Sequence, residues 1–442
     1  MRVAVVGAGI AGIQAALLLE ERGVEVTVFE ARDRIGGRLQ TVSDSSGPSF
    51  EAGGEWIDAD QPLVHALVDK YQNRLDEAVR EPALAIFRGE MRRTDDLWPD
   101  LLADEETVEH MARSMARELK LPAWKNRQFA KYDLISLASF VRQHCQSDRG
   151  HWWMTANLRS DEGDDLSKIG LLGWLTGYVH YVDRENLNRG ESEMSAYRPP
   201  LGFSQLLERM GNDLKGDVIL DAPLRKIQRA KSKVTLCFDT KNESFDEVIL
   251  TLPPRCLERV IFEPALPVAK RCAIEACGMS RAIKMVWEFK TAWWKERGFC
   301  GRLHCDGALQ QLWDGSRGEG NVLTAYICGD RAVEWTKLAD PVNAGVYELT
   351  QYFPEATEHF VKGQMFDWIN DPYSLGAFSH YAPGYTLDHA ENMMKPQPRI
   401  HFAGEHTATW VGFIEGALES AYRVTKEICE QDTKTSLGGR LN

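Results

Sequence analysis

The sequence has no run approaching the roughly 18 apolar residues of a membrane-spanning helix. It also has no tract of lysine and arginine dense enough to neutralise a row of phosphates. The first absence excludes a helical membrane-spanning protein, and the second makes nucleic acid an unexpected partner. Paired CxxC spacing is missing too: the nine cysteines, Cys145, Cys237, Cys256, Cys272, Cys277, Cys300, Cys305, Cys328 and Cys429, are odd in number and scattered. They read as reduced thiols, and no metal site is expected. No internal repeat or low-complexity linker is visible. The strand-like Val3–Val6 follows Met1 by a single residue, leaving no room for a signal peptide, so a cytoplasmic location is expected. The polar end, Gln431 to Asn442, holds no apolar anchor and reads as a flexible tail.

What is present is a chain of 442 residues, 43% hydrophobic, long enough for two or three domains. Its formal charge of -13, from 52 Lys and Arg against 65 Asp and Glu, is spread along the sequence. An acidic field modestly attracts cations such as amines, although a solvated acidic surface is its commoner cause.

The opening residues carry the clearest pattern. After the strand come Gly7, Gly9 and Gly12 in GxGxxG spacing, a helical run Ile13–Glu21, and a second strand Glu25–Phe29. Gly7 permits a tight turn, Gly9 lets the backbone approach a pyrophosphate beside Ala11, and Gly12 lets helix and strand pack closely. The anion would sit on the helix's N-terminal dipole. Glu30 ends the second strand, where a carboxylate accepts hydrogen bonds from a ribose diol, with Ala31 next to it. Glycine turns alone are often mere packing devices. Strand, glycines, helix, strand and Glu in this order point to a dinucleotide without saying which.

Residues Glu30–Leu39, EARDRIGGRL, and Glu51–Ile57, EAGGEWI, resemble the flavin monoamine oxidase and polyamine oxidase family, which also includes L-amino acid oxidases. The resemblance implies FAD and a fold of class α/β plus α+β: a glutathione-reductase-like Rossmann domain interleaved with a substrate-binding domain. Residues 1–60, 200–260 and 396–430 would form the first, and 61–199 and 261–395 the second. It places Arg32 at the adenosine side, and Gly36, Gly37 and Arg38 along the pyrophosphate. Gly53, Gly54, Glu55 and Trp56 would reach the ribityl chain and flavin ring. Further likeness in Arg198–Gln205, Asp217–Ile227 and Val248–Pro254 sets the backbone of Leu224 against adenine. The longest matching element, Arg399–Arg423 (RIHFAGEHTATWVGFIEGALESAYR), brings Gly404 and Glu405 to the pyrophosphate and ribityl region. It also sets Gly412, Phe413 and Ile414 against the flavin, ahead of a helix from Glu415.

Gly278–Trp294 resembles the family strand that carries an active-site lysine, here Lys284, which in relatives holds a water near flavin N5. Trp368–Phe378 (WINDPYSLGAF) implies Trp368 beside the ring and Phe378 on the substrate wall. Ala377 occupies the position of the flavin-linking cysteine of animal monoamine oxidases, so non-covalent FAD is expected. Phe378 and Phe413 stand where the family places two cage tyrosines. The segment Glu405–Phe413 is one residue shorter than in those enzymes, which leaves open whether Phe413 or Trp410 forms the second wall.

The implied reaction moves a hydride equivalent from the α-carbon of a neutral amine to flavin N5. The imine is hydrolysed to a carbonyl compound, and O2 is reduced to H2O2. The expected partners are a small-molecule amine and O2, with a homodimer left open. Thr107–Leu119, Leu134–His144 and Leu166–Tyr181, with Trp174 and Tyr178, read as helices of the substrate domain. Asp161, Glu162, Asp164 and Asp165 could guide a polyamine, although a solvated loop is the commoner reading. The segment after the GG motif, Ile57–Val64, lacks an arginine for a substrate carboxylate, which favours an amine. Arg159, Arg184 or Arg198 could still supply that charge. An L-amino acid oxidase and a flavin desaturase or isomerase remain the alternatives.

Overall fold

A computed structural model describes residues 1–43, 48–72, 74–181, 195–318 and 320–438. The opening strand β1 (Arg2–Val6) has four of its five residues buried and β-branched valines at Val3, Val5 and Val6, which suit a sheet covered on both faces. Helix α1 (Ile10–Glu20) begins three residues earlier than the periodicity predicts, because Gly9 is its extended N-cap and Ile10 to Gly12 already wind. Ten of its eleven residues are buried. It therefore lies inside the domain, and its apolar pattern runs all round. The chain returns in β2 (Glu25–Phe29), parallel to β1.

Three distant segments complete this parallel sheet. Its order is Ile400–Phe402, Glu247–Leu250, β1, β2, Val218–Ile219. A small four-stranded sheet, which includes Lys226–Arg229 and Val234–Cys237, packs its buried Ile227, Val234 and Leu236 in one core with Phe29. Part of the segment assigned from sequence to the substrate domain joins the dinucleotide core. Helix Pro62–Tyr71 buries Val64, Leu67 and Val68 among the residues of α1.

The second sheet has seven strands in the order Phe360–Asp367, Ala282–Phe289, Val322–Cys328, Gln311–Asp314, Leu303–Cys305, Leu84–Phe87, Glu90–Arg93. Helices cover it. Pro99–Glu118 starts eight residues ahead of the predicted Thr107, since Pro99 suits a first helical position and Leu101 adds a buried contact. Leu137–His144 starts after Ser136, whose side chain caps Ser139 N–H. The predicted Leu166–Tyr181 helix is shorter, Leu171–Tyr178 plus a tight turn Val179–Tyr181. Leu166 and Ile169 give their carbonyls to Ala138 and Leu137 instead, and Gly170 N–H goes to Tyr381 O. Helix α2 (Asp148–Glu162) ends at Gly163, whose φ of 68° forms a left-handed cap. The strand Ala282–Phe289, named β3, is buried at all but one position. Helix α3 (Ile414–Gly438) packs on α1. It runs eight residues into the tail expected to be flexible, a stretch with no proline and no glycine before Gly438.

Candidate active site

The carboxyl ends of β1, β2 and Glu247–Leu250 open into a cavity of about 550 Å³ that continues to the β3 sheet. At its dinucleotide end, Gly7 turns the chain with φ of 104°, and a Cβ there would lie 2.2 Å from Thr251 Oγ1. A Cβ on Gly12 would lie 1.9 Å from the Gly7 carbonyl oxygen. Gly12 is therefore a packing glycine behind the cavity, whereas Gly7, Gly9, Ile10 and Ala11 line it. No side chain caps the start of α1. Its first-turn N–H groups therefore suit a pyrophosphate, which fits FAD to this cradle.

The charged residues singled out from sequence line the same cavity, with partners that sequence alone does not reveal. Glu30 accepts from Ala8 N–H at 2.7 Å and Arg32 N–H at 2.9 Å. The Arg32 guanidinium is clamped by Asp371 at 2.6 and 2.9 Å and by Ser374 Oγ at 2.8 Å, over the Tyr373 ring. Burial pushes the Asp371 carboxyl up, but its bond to Arg32 outweighs this and holds it below its ordinary value. Arg38 donates to Glu405 at 2.7 Å and to Ala377 O at 3.0 Å. Glu405 also accepts from Ser379 N–H and Gly412 N–H, so one buried carboxylate joins three segments distant in sequence. Ala31, Gly36, Gly37, Gly53, Gly54, Trp56, Leu224, Gly404, Gly412 and Ile414 line the cavity as well. Trp368 donates its indole N–H to Ala52 O at 2.8 Å, which sets its ring beside Gly53.

At the far end, Phe378 and Phe413 line the cavity. Trp410 does not: it is buried behind Phe413 at 5.6 Å and stacks on His180 at 4.1 Å. Lys284, in the middle of β3, is buried, and its Nζ donates to Glu55 Oε2 at 2.9 Å and Glu51 O at 3.2 Å. The lysine thus has a direct ion pair with Glu55, a partner not foreseen from sequence. Glu55 also accepts from Trp313 Nε1 at 3.1 Å and Arg198 Nη1 at 3.2 Å. Burial pushes the Glu55 carboxyl up, yet Lys284, then Arg198 and Arg317, hold it below its usual value. Burial prevails at Glu51, whose carboxyl is raised in spite of Arg317.

The acidic run proves not to be one solvated loop. Gly163 ends the helix and divides the run. Asp164 is buried and binds Arg281, and Asp165 also reaches Arg281. Asp161 and Glu162 line the cavity, with Asp161 exposed to its space and Glu162 half-buried. Burial raises their carboxyls to about 7 and about 8, and Asp58 and Asp161, respectively, add to the effect. Of the arginines considered for a substrate carboxylate, Arg159 pairs with Asp165, Arg198 with Glu55, and Arg184 lies outside the described residues. Arg302, Gln311, Trp313 and Tyr326 also line this end and were not foreseen. Alternation in Gln311–Asp314 could have marked Gln311 and Trp313 as sharing one sheet face.

A parallel sheet with an uncapped helix start at one end of a cavity, and a buried lysine and aromatic wall at the other, define a flavin-dependent oxidoreductase. The family profile described as flavin containing amine oxidoreductase matches residues 10–429. The chain belongs to that family and is an amine oxidase. Human amine oxidase [flavin-containing] B is 26% identical over 452 residues, covering 96% of this chain and 85% of the human protein. Pig amine oxidase [flavin-containing] A is 25% identical, covering 98% and 86%. Among solved structures, a redesigned putrescine oxidase superposes with a TM-score of 0.87 at 24% identity, covering 97% of this chain and 99% of that one. Cyclohexylamine oxidase from Brevibacterium oxydans IH-35A gives 0.86 at 22%, with the same coverage. These two likenesses bear on the fold. No helix among the described residues is long and apolar enough to cross a membrane.

Proposed function

We propose that the protein holds FAD without a covalent bond and oxidises a small amine to an imine, which water hydrolyses to a carbonyl compound, with O2 reduced to H2O2. The observation that carries this reading is the continuity of one cavity from Gly7, Gly9 and Glu30 to Lys284, Phe378 and Phe413. FAD, when bound, supplies a two-electron acceptor for a hydride equivalent and returns those electrons to O2.

The residues of the chain supply position and electrostatics. The start of α1 takes the pyrophosphate, and Glu30 takes a ribose diol. Phe378 and Phe413 offer π faces that steer a neutral amine and tolerate its cation during entry. Lys284 places a cation in a dry wall where negative charge develops as O2 is reduced. Ala377, at the position of the linking cysteine, leaves the flavin unattached. Arg302 lines that end as well, but the carboxyls of Asp161 and Glu162 share it and favour an amine.

Purified enzyme assayed for peroxide against a panel of amines and amino acids decides the substrate class. Turnover on amines is expected, and turnover confined to amino acids would overturn the reading. Reduction of the flavin without peroxide would point to a desaturase. Acid precipitation should leave yellow FAD in the supernatant, whereas flavin retained in the pellet would contradict non-covalent binding.

A further inference from the structure

Glu55 has no part in the chemistry so far, yet it is buried in the cavity wall with three side-chain donors converging on it. Oε2 accepts from Lys284 Nζ at 2.9 Å and Trp313 Nε1 at 3.1 Å, and Oε1 accepts from Arg198 Nη1 at 3.2 Å. A carboxylate so engaged is poorly placed to take a proton from substrate. Its effect falls on the lysine. An ammonium has three N–H donors. Among the described residues, two of those on Lys284 go to Glu55 and the Glu51 carbonyl oxygen. The third remains for the cavity that Lys284 lines.

The surrounding charges agree with such a role. Lys284, Arg198 and Arg317 face Glu51 and Glu55, an excess of one positive charge that grows if Glu51 is protonated. From the flanking strands, Tyr326 and Phe366 sit opposite Lys284, and Asp367 opposite Ile283, where it caps Ile369 and Asn370 N–H. None of these neighbours offers Lys284 a second counter-charge in contact.

We propose that Glu55 is a positioning residue for the oxygen half-reaction, holding Lys284 as a fixed ammonium at the cavity wall. This rests on the part given to Lys284 under the proposed function. In that half-reaction O2 gains two electrons and two protons from the reduced cofactor and leaves as H2O2, while Lys284 ends in the protonation state in which it began. Without Glu55, a buried ammonium lacks its counter-charge and releases its proton more readily. Its long stem also regains other rotamers.

The test uses holoenzyme reduced anaerobically with dithionite and mixed with O2 in a stopped-flow instrument, so that no amine is required. Glu55→Gln should reoxidise about tenfold more slowly, less than the roughly hundredfold or more lost with a direct donor, because Glu55 acts through Lys284. Its rate should fall as pH rises over a range in which the wild-type rate is unchanged. A wild-type rate and pH profile in Glu55→Gln, with Lys284→Met slowed, overturns the proposal while sparing Lys284. A wild-type rate in Lys284→Met overturns the part given to the lysine, and this inference with it. Should Glu55→Gln emerge without FAD, Glu55→Asp carries the test, because its shorter carboxylate should reoxidise at an intermediate rate. A wild-type rate there counts against the proposal.

Discussion

The two ends of the cavity are built on different terms. At the dinucleotide end the backbone does most of the work: Gly7, Gly9 and the start of α1 shape the cradle, and each charged side chain there already has a protein partner. At the substrate end side chains decide, and two carboxyls, Asp161 and Glu162, face the cavity with no hydrogen bond or ion pair among the described residues. A cradle made of backbone recognises a group common to many nucleotides. A wall made of unpaired side chains can be retuned by single substitutions without disturbing the fold.

Breaking the first end should have the largest effect. Gly12→Val puts a branched side chain where even a Cβ would lie 1.9 Å from Gly7 O. It is expected to abolish FAD retention, read as loss of visible flavin absorbance in purified protein. Trp410→Ala comes next. The ring is buried behind the cavity, so the change should cost roughly 3–5 kcal/mol of stability in denaturant unfolding. Phe413→Ala, at the wall itself, should instead raise KM for the amine more than it lowers stability. Equal stability losses would erase the distinction between wall and support.

The smallest effect sharpens the comparison through pH. Asp161 has a folded-state value of about 7 against an ordinary 3.8, so between these values the folded protein binds the proton that the unfolded chain has released. Its contribution favours folding below about pH 4 and is lost as pH rises through 7. Asp161→Asn should therefore be more stable than wild type at pH 8 and lose that advantage near pH 4. Thermal unfolding at both pH values checks this, and a difference that does not change with pH would mean that the carboxyl is not held protonated.

The difference between the two ends also explains what the sequence could disclose. The cradle was legible because its determinants are adjacent and each does a local job: a positive φ at Gly7, an N-cap at Gly9, a strand end at Glu30. Lys284 was legible as a buried position from its apolar strand, but its partner Glu55 lies more than two hundred residues earlier, and nothing in either segment announces the pair. Trp410 and Phe413 were not separable, since three residues on one turn can exchange places without altering any pattern. The acidic run misled because Gly163 ends α2 within it, sending Asp161 and Glu162 to one environment and Asp164 to another.

The strand order of the parallel sheet bears on how the protein is made. Ile400–Phe402, at one edge, pairs with Glu247–Leu250 in the sheet, and the segment that follows carries Gly404, Glu405 and Gly412. During synthesis that edge stays bare, and the flavin cradle stays open, until residues 400–414 have left the ribosome. The substrate-side sheet, finished at Asp367, can assemble first. A chain stalled before residue 400 would thus carry the substrate-side sheet, but neither Phe413 on the substrate wall nor a closed seat for FAD.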